Sequence, residues 1–183
     1  MKDMSEYNYH YKYPHPSVTT DCVIFGFDGN SLNVLLIERG NEPFKGKWAF
    51  PGGFLNMDES AEEGALRELQ EETGMTGACI QQFHTFTAPN RDPRERVISI
   101  AYYAIVPMQD VKGRDDAAKA QWFALDNVPP LAFDHDEMLR MAEQELMRLG
   151  LLTRLDDAEP GTKSKNVPRY RFNKEEYIKI YGI

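Results

Sequence analysis

The sequence predicts one domain of mixed α and β structure, and three observations carry this prediction. Apolar runs over 22–27 and 34–37 flank an Asp-Gly pair, which is typical of a β-hairpin. The run 98–106 is rich in β-branched and aromatic residues and predicts a buried strand. Two further segments carry apolar residues at helical spacing and end at glycines, which predicts two helices. A chain of 183 residues suits one domain with a real core.

The predicted domain lies between an arm and a tail. Residues 1–16 are polar, rich in tyrosine and end in Pro-His-Pro, which predicts an extended arm that lies on its own domain or reaches a partner subunit. Residues 17–150 hold the predicted strands and helices and form the domain. Residues 151–183 predict a tail, first charged with proline and glycine and then aromatic and basic.

Both helices have recognisable ends. Ser60 followed three residues later by Glu63 predicts a capping box, and Gly74 supplies the left-handed residue that closes the first helix. The second helix is predicted to begin near Asp134 and to stop at Gly150. Its apolar residues at helical spacing are assigned to the core: Met138, Ala142, Leu146 and Leu149.

The composition restricts the class of partner. The net charge of −8 argues against electrostatic binding to nucleic acid or to anionic lipid. It does not exclude a phosphate ester, because a divalent cation can supply the positive charge. Cys22 and Cys79 are predicted to be buried thiols in a reducing compartment, and no apolar run is long enough for a membrane span or a signal peptide. These features predict a cytoplasmic protein with no nucleic-acid or membrane partner.

Three glutamates stand on one face of the first helix. With Glu68 set at 0°, Glu72 lies at about 40° and Glu71 at about −60°, so all three share a sector of roughly 100°. The neighbouring face carries Leu66 and Leu69 and is predicted to enter the core. Like charges at this spacing repel one another, which calls for compensating positive charge.

Two sources of positive charge are open. Arg67 can pair with Glu71 one turn along the helix, and with Glu59, but one guanidinium does not neutralise four acids. Mg²⁺ or Mn²⁺ would, because hard cations prefer carboxylate and water oxygens and leave positions for substrate phosphates. A solvated acidic helix face remains the alternative for these glutamates taken alone.

The wider sequence pattern favours a cation site over a solvated acidic helix face. From Gly53 to Met75 the chain reads glycine, five residues, glutamate, seven residues, Arg-Glu-apolar, one residue, Glu-Glu, one residue, glycine and an apolar residue. This pattern resembles the Nudix box, and the resemblance to the Nudix hydrolase family covers about residues 17–149. It implies an α/β fold of the α+β kind, an α/β/α sandwich with a mixed sheet and a loop-helix-loop metal site. It also implies hydrolysis of a nucleoside diphosphate linked to another group.

The resemblance assigns roles to individual residues. It implies metal binding by the carboxylates of Glu68, Glu71 and Glu72 and by the carbonyl oxygen of Gly52. Arg67 and Glu59 would orient those carboxylates.

Members of the family often supply a general base from outside the box. We predict Glu95 for this role. The other candidates are Asp92, Asp115, Asp116 and a glutamate of the box itself.

The substrate is predicted from three stretches that look like the ADP-ribose pyrophosphatase branch: 37–54, 91–103 and 131–135. Pro89 also lies near where that branch tends to carry a proline. Resemblance to that branch implies phosphate or ribose binding by Arg39, Arg94 and Arg96, although each can instead be an ordinary surface arginine. Tyr13 or His15 could stack on adenine, either within one subunit or across a homodimer of the kind common among relatives.

Two alternatives stay open at this point. The first is a Nudix hydrolase for another nucleotide, such as an oxidised nucleoside triphosphate, a sugar nucleotide or a dinucleoside polyphosphate. The second is a non-catalytic regulator that senses ADP-ribose. Regulators of this branch carry a C-terminal winged helix, for which the 33 residues after Gly150 are too few.

Overall fold

The computed structural model describes residues 11–28, 31–155 and 169–181. The strands are β1 Ser17–Phe27, β2 Leu32–Arg39, β3 Trp48–Ala49, β4 Gly52–Phe54, β5 Gln81–Phe86, β6 Val97–Pro107, β7 Ala117–Ala124, β8 Leu152–Leu155 and β9 Arg169–Phe172. The helices are α1 Ala61–Thr73, α2 His135–Arg148 and α3 Lys174–Tyr181, with a 3-10 turn at Leu125–Asn127. The predicted hairpin strands, the buried strand and both predicted helices are present.

A mixed seven-stranded sheet forms the middle of the domain. Strand β1 runs parallel to β6 along its whole length and pairs antiparallel with β2 only at Phe25–Phe27. Where β1 and β2 part, β3 pairs with β2 and β4 pairs with β1. The short segment 48–54 therefore fills the gap between two diverging strands, which places its glycines close to helix α1.

Alternate residues of β1 face two separate cores. Val23 and Phe25 join a cluster with residues of α2, whereas Cys22 and Ile24 join a cluster with residues of α1. This alternation follows from the two-residue period of a strand, and β1 reads as a continuous apolar run because both of its faces are covered. The predicted α/β/α sandwich with a mixed sheet is confirmed.

The predicted helix ends are also confirmed. The Ser60 hydroxyl accepts from the Glu63 amide at 3.3 Å, and the Ser60 amide donates to the Glu63 carboxylate at 2.8 Å. Gly74 adopts φ 76° and its amide donates to the Gln70 carbonyl. At the end of the second helix, Gly150 also lies in the left-handed region, at φ 72°.

The described part of the tail packs on the domain. Leu151 is fully buried, the Phe172 ring lies 4.7 Å from that of Phe27, and the Tyr177 hydroxyl donates to the Ile105 carbonyl at 3.1 Å. Packing therefore continues across the predicted boundary at Gly150. Of the predicted arm, only 11–16 lies within the described residues, and these are exposed.

One prediction about the cysteines is wrong. Cys22 is buried as expected, but Cys79 is exposed. It lies between α1 and β5, where its neighbours Ala78 and Ile80 are buried and alternation turns the thiol outward. None of the described helices is long and apolar enough to cross a membrane.

Candidate active site

A cavity of about 470 Å³ opens beside the glutamate face of α1. Its wall combines the ends of β2 and β4, the loops that precede β6 and β7, and the start of α2. The lining includes carboxylates of α1, here called the carboxylate side, and arginines of β2 and of the loop before β6, here called the arginine side. A concave site with a few convergent polar groups is typical of small-molecule binding.

Glu72 is the most buried of the three glutamates, with 6% of its surface exposed. Its carboxylate accepts from the Gly52 amide at 2.9 Å. The pKa of Glu72 is raised to about 8, chiefly by burial and also by the nearby carboxylates of Glu68 and Asp21, while the hydrogen bond from the Gly52 amide acts in the opposite direction. The site thus holds a carboxylate that lacks sufficient positive charge.

Arg67 ties the remaining acids of the box together. Its guanidinium donates to Glu59 at 2.7 and 2.9 Å, to Glu68 at 2.7 Å and to Glu71 at 3.1 Å. It also donates to the Phe54 carbonyl at 3.1 Å. The predicted pairs with Glu71 and Glu59 are both present, and Glu68 is an additional partner. Hydrogen bonds from Arg67 lower the pKa of Glu59 to about 2.

Two glycines allow the segment 52–53 to approach these acids. A Cβ at Gly53 would collide with the Glu68 carboxylate, and a Cβ at Gly52 would collide with the Thr20 carbonyl of β1. Glycine at position 52 is therefore a steric requirement of the close packing between β4 and β1, whereas a side chain at position 53 would displace the Glu68 carboxylate.

The acids match a divalent cation in donor type and charge. Three carboxylates share the Arg67 guanidinium, and the fourth, Glu72, has no ion-pair partner among the described residues and a raised pKa. Within the described residues, however, no three acidic, His or Cys side chains are already arranged around a common point that could hold an ion. Arg67 holds Glu68 and Glu71 while Glu72 turns to the Gly52 amide, so metal binding would require these side chains to reorient.

The arginines on the other side of the cavity differ in how far they are neutralised. Arg91 forms a bidentate pair with Asp134 at 2.7 and 2.9 Å, and Arg94 forms another with Asp92 at 2.7 and 3.0 Å. Arg39 donates through Nε to the Pro43 carbonyl at 2.8 Å and makes no ion pair among the described residues. Burial and the neighbouring charge of Arg94 lower the pKa of Arg39. Nearby carboxylates of Glu72, Asp92 and Asp21 act in the opposite direction, but none of them forms an ion pair with Arg39.

Not every predicted site residue reaches the cavity. Arg39, Arg94, Asp92, Asp115 and Asp116 line it.

Glu95 and Arg96 do not line the cavity. The Glu95 carboxylate accepts from the Ser17 hydroxyl at 3.0 Å, and Arg96 donates to the Ala88 carbonyl at 3.1 Å. Tyr13 and His15 are exposed and lie outside the cavity wall. The functional roles predicted for these residues remain predictions.

A chain of polar residues that the sequence did not predict lies in the cavity wall. The His135 ring accepts the Phe50 amide at 3.0 Å through Nδ1, and its Nε2 lies 3.5 Å from the Asp21 carboxylate. The Ser99 hydroxyl donates to the other oxygen of Asp21. Asp21 could have been noticed as an acid within the apolar run of β1, but only the fold brings His135 to it.

Comparison with known proteins identifies the family. The family model for the NUDIX domain matches residues 15–142, and the chain belongs to this family. The ADP-ribose pyrophosphatase of Methanocaldococcus jannaschii is 40% identical over 139 residues, which are 76% of this chain and 78% of that protein. The predictions of a Nudix fold and of a pyrophosphohydrolase are confirmed at the level of the family.

Two further relatives concern ADP-ribose. The NUDIX domain of Shewanella oneidensis NrtR, solved as a complex with ADP ribose, superposes with a TM-score of 0.71 at 34% identity over 79% of this chain and 99% of that chain. The ADPR responsive transcriptional repressor NtrR of Acinetobacter baylyi is 33% identical over 135 residues, which are 71% of this chain and 54% of that protein.

Proposed function

We propose that the chain hydrolyses ADP-ribose to AMP and ribose 5-phosphate and that Mg²⁺ or Mn²⁺ supports the reaction. The observation that carries this proposal is a cavity lined by both carboxylates of α1 and arginines, in a chain 40% identical to an ADP-ribose pyrophosphatase. A cation held by the carboxylates and the arginines opposite would together compensate the negative charge of a pyrophosphate.

In this proposal Glu68, Glu71, Glu72 and the Gly52 carbonyl hold the metal. When bound, the metal supplies positive charge at the phosphoryl oxygens and lowers the pKa of a coordinated water. Arg67 and Glu59 keep the carboxylates on one side of the cavity. Arg67 donates to the Glu68 and Glu71 oxygens that the metal would take, so these hydrogen bonds must rearrange when the metal binds.

The arginines of the opposite side would bind phosphate and fix its orientation. A guanidinium matches phosphate oxygens through paired N–H groups, and Arg39 has its terminal nitrogens without protein acceptors among the described residues. Arg94 would contribute beside it while remaining tied to Asp92.

We propose that the general base is one of the carboxylates that already line the cavity. Asp115, Asp116 and the box glutamates line the cavity, whereas Glu95 would first have to leave Ser17. A candidate base must come within hydrogen-bond reach of the attacking water, which favours the groups already in the wall. A substrate role for Arg96 would likewise require its loop to move.

A substrate panel tests the proposal. Purified chain is incubated with ADP-ribose, an oxidised nucleoside triphosphate, a sugar nucleotide or a dinucleoside polyphosphate, each with Mg²⁺, Mn²⁺ or EDTA. We expect equal amounts of AMP and ribose 5-phosphate from ADP-ribose, dependent on metal. Intact ADP-ribose beside turnover of another nucleotide would replace the proposed substrate.

The second candidate function is a sensor that binds ADP-ribose without cleaving it. It is favoured by the likeness to a repressor and to an NrtR domain solved with ADP ribose. Calorimetric titration with ADP-ribose, followed by chromatography of the recovered ligand, separates the two functions. Binding with full recovery of intact ligand in the presence of metal supports the sensor.

We further propose a homodimer in the cytoplasm, by extension from the family. Sedimentation equilibrium of the full chain tests the dimer, and a single species at the mass of one chain contradicts it.

A further inference from the structure

An aromatic residue outside the predicted site stands at the arginine side of the cavity. Phe133 precedes α2, is half-buried and lines the cavity. Its φ is 54°, in the left-handed region that bulky residues rarely adopt. The ring of Phe44, with φ 65°, contacts that of Phe133 edge-on at 4.8 Å. Unusual backbone conformations of this kind persist when the surroundings fix them, and they cluster at functional sites.

Phe133 lies against two guanidinium groups at once. The central carbon of the Arg39 guanidinium is 4.8 Å from the centre of the Phe133 ring, and that of Arg94 is 5.9 Å from it. Arg94 also lies 5.2 Å from the ring of Phe54. The face of an aromatic ring attracts a cation within about 6 Å, so one ring can hold both positive charges in place.

Bringing two arginines together is unfavourable unless something compensates. Asp92 compensates Arg94, but Arg39 has no carboxylate partner among the described residues. Arg39 lines the cavity, and its terminal N–H groups have no protein acceptor among the described residues, although the carboxylates of Glu72, Asp92 and Asp21 act on its charge from nearby. An anionic ligand that accepts hydrogen bonds from these N–H groups would make the pairing of the two arginines favourable.

We propose that Phe133 is a positioning residue, which holds the guanidinium groups of Arg39 and Arg94 side by side to bind the pyrophosphate of the substrate. The inference rests on the proposed function for the identity of the anion. It assigns Phe133 no contact with the reacting atoms. Its effect passes through the arginines, so it should appear in ligand binding and not in the rate of the chemical step.

The test uses magnesium pyrophosphate, which has neither base nor ribose, as a calorimetric probe. We expect Phe133→Leu to weaken its binding by roughly 2- to 30-fold, the range that corresponds to a lost cation–π interaction. Phe133→Tyr keeps the ring and should stay within about twofold of wild type. Phe83→Leu, an aromatic change at a ring that packs on Tyr103 outside the cavity, is the matched control and should have no effect.

A double-mutant cycle separates positioning from direct contact. In an Arg39→Gln/Arg94→Gln background, Phe133→Leu should cause no further loss of pyrophosphate binding. Where ADP-ribose is turned over, Phe133→Leu should raise KM while kcat stays within about threefold. Thermal melting checks folding, and Phe133→Met replaces the leucine variant if that one unfolds.

Several results overturn the inference. Unchanged pyrophosphate binding by Phe133→Leu would overturn it. Failure of the wild-type chain to bind pyrophosphate would also overturn it. A loss confined to adenosine binding would show that the ring stacks on the base instead. Pyrophosphate binding that depends on Phe133 in a chain that leaves ADP-ribose intact would contradict the proposed function and leave this inference standing.

Discussion

At the scale of single residues, the site is governed by a shortage of positive charge. Arg67 serves three carboxylates, and Glu72, the most buried, is left with a hydrogen bond from Gly52 and a raised pKa. A structural acidic face would sit in solvent, where repulsion between glutamates costs little. Burial of Glu72 is costly without compensation, which favours a site made for a cation.

Replacing Glu72 tests this directly. We expect Glu72→Gln to lower turnover by at least about 100-fold, because even outer partners of a metal site change affinity or activity by roughly 10- to 100-fold. The variant should remain folded, since glutamine keeps the shape and can still accept from the Gly52 amide. Glu62→Gln, on the exposed face of the same helix, should keep wild-type activity. Near wild-type turnover by Glu72→Gln would move the metal site elsewhere.

Glu59 should contribute stability that depends on pH. Its pKa falls from 4.5 to about 2 in the folded chain, so its contribution is complete above pH 4.5 and is lost as the pH falls toward 2. The difference in unfolding free energy between wild type and Glu59→Gln should therefore be constant near neutrality and shrink below pH 4.5. Urea titrations at several pH values measure it. A difference that does not change with pH would contradict the assignment.

At the scale of elements, α1 is fixed by its ends as well as by its buried face. The capping box satisfies backbone amides at its start, and Gly74 ends it in the left-handed conformation. Between these ends, Ala65 and Leu69 are fully buried against the sheet. The rotation of the helix is thereby set, which directs the glutamates toward the segment 52–54.

Loss of the cap should destabilise the fold without disturbing the chemistry. Ser60→Ala should lower the free energy of unfolding by about 0.5–2 kcal/mol, the usual effect of removing a helix N-cap. Ser60→Asp should restore most of it, because aspartate also accepts from the first turn. Activity of both variants should stay close to wild type, since the glutamates lie in the second half of the helix. Equal stability of Ser60→Ala and wild type would show that the cap contributes nothing.

At the scale of the whole molecule, the sheet joins two cores and the tail adds to one of them. Phe172 and Tyr177 of the tail join the cluster that contains α2, opposite the face that carries α1. None of the described tail residues lines the active-site cavity. The tail should therefore contribute stability and leave catalysis alone.

Hydrogen exchange can test the attachment of the tail. Phe172→Ala removes the ring that lies against Phe27, so amides of 169–181 should exchange faster while those of α1 keep their protection. Ile178→Ala changes an exposed apolar residue of α3 and should leave exchange unaltered. Faster exchange in α1, or lost turnover in Phe172→Ala, would show that the tail supports the site.

Much of the site could be predicted from local spacing alone. The box residues lie within one helix and the loop before it, where sequence distance fixes spatial distance. The shared face of the glutamates and the Arg67 ion pairs could therefore be predicted. The capping box and the terminal glycine are local for the same reason. The exposure of Cys79 was missed because burial depends on which face a short segment turns to the core.

The opposite side of the cavity was decided by tertiary structure. Arg39, Arg94 and Phe133 come from three separate segments, and only the packing of β2, the loop before β6 and the start of α2 brings them together. Asp21 and His135 are brought together in the cavity wall in the same way. The sequence by itself determined mixed α and β structure from its periodicity and the family from the fixed spacing of the box, and the sandwich and the roles of the acidic residues followed from the resemblance to that family. The basic half depended on long-range packing, whose geometry no spacing along the chain encodes.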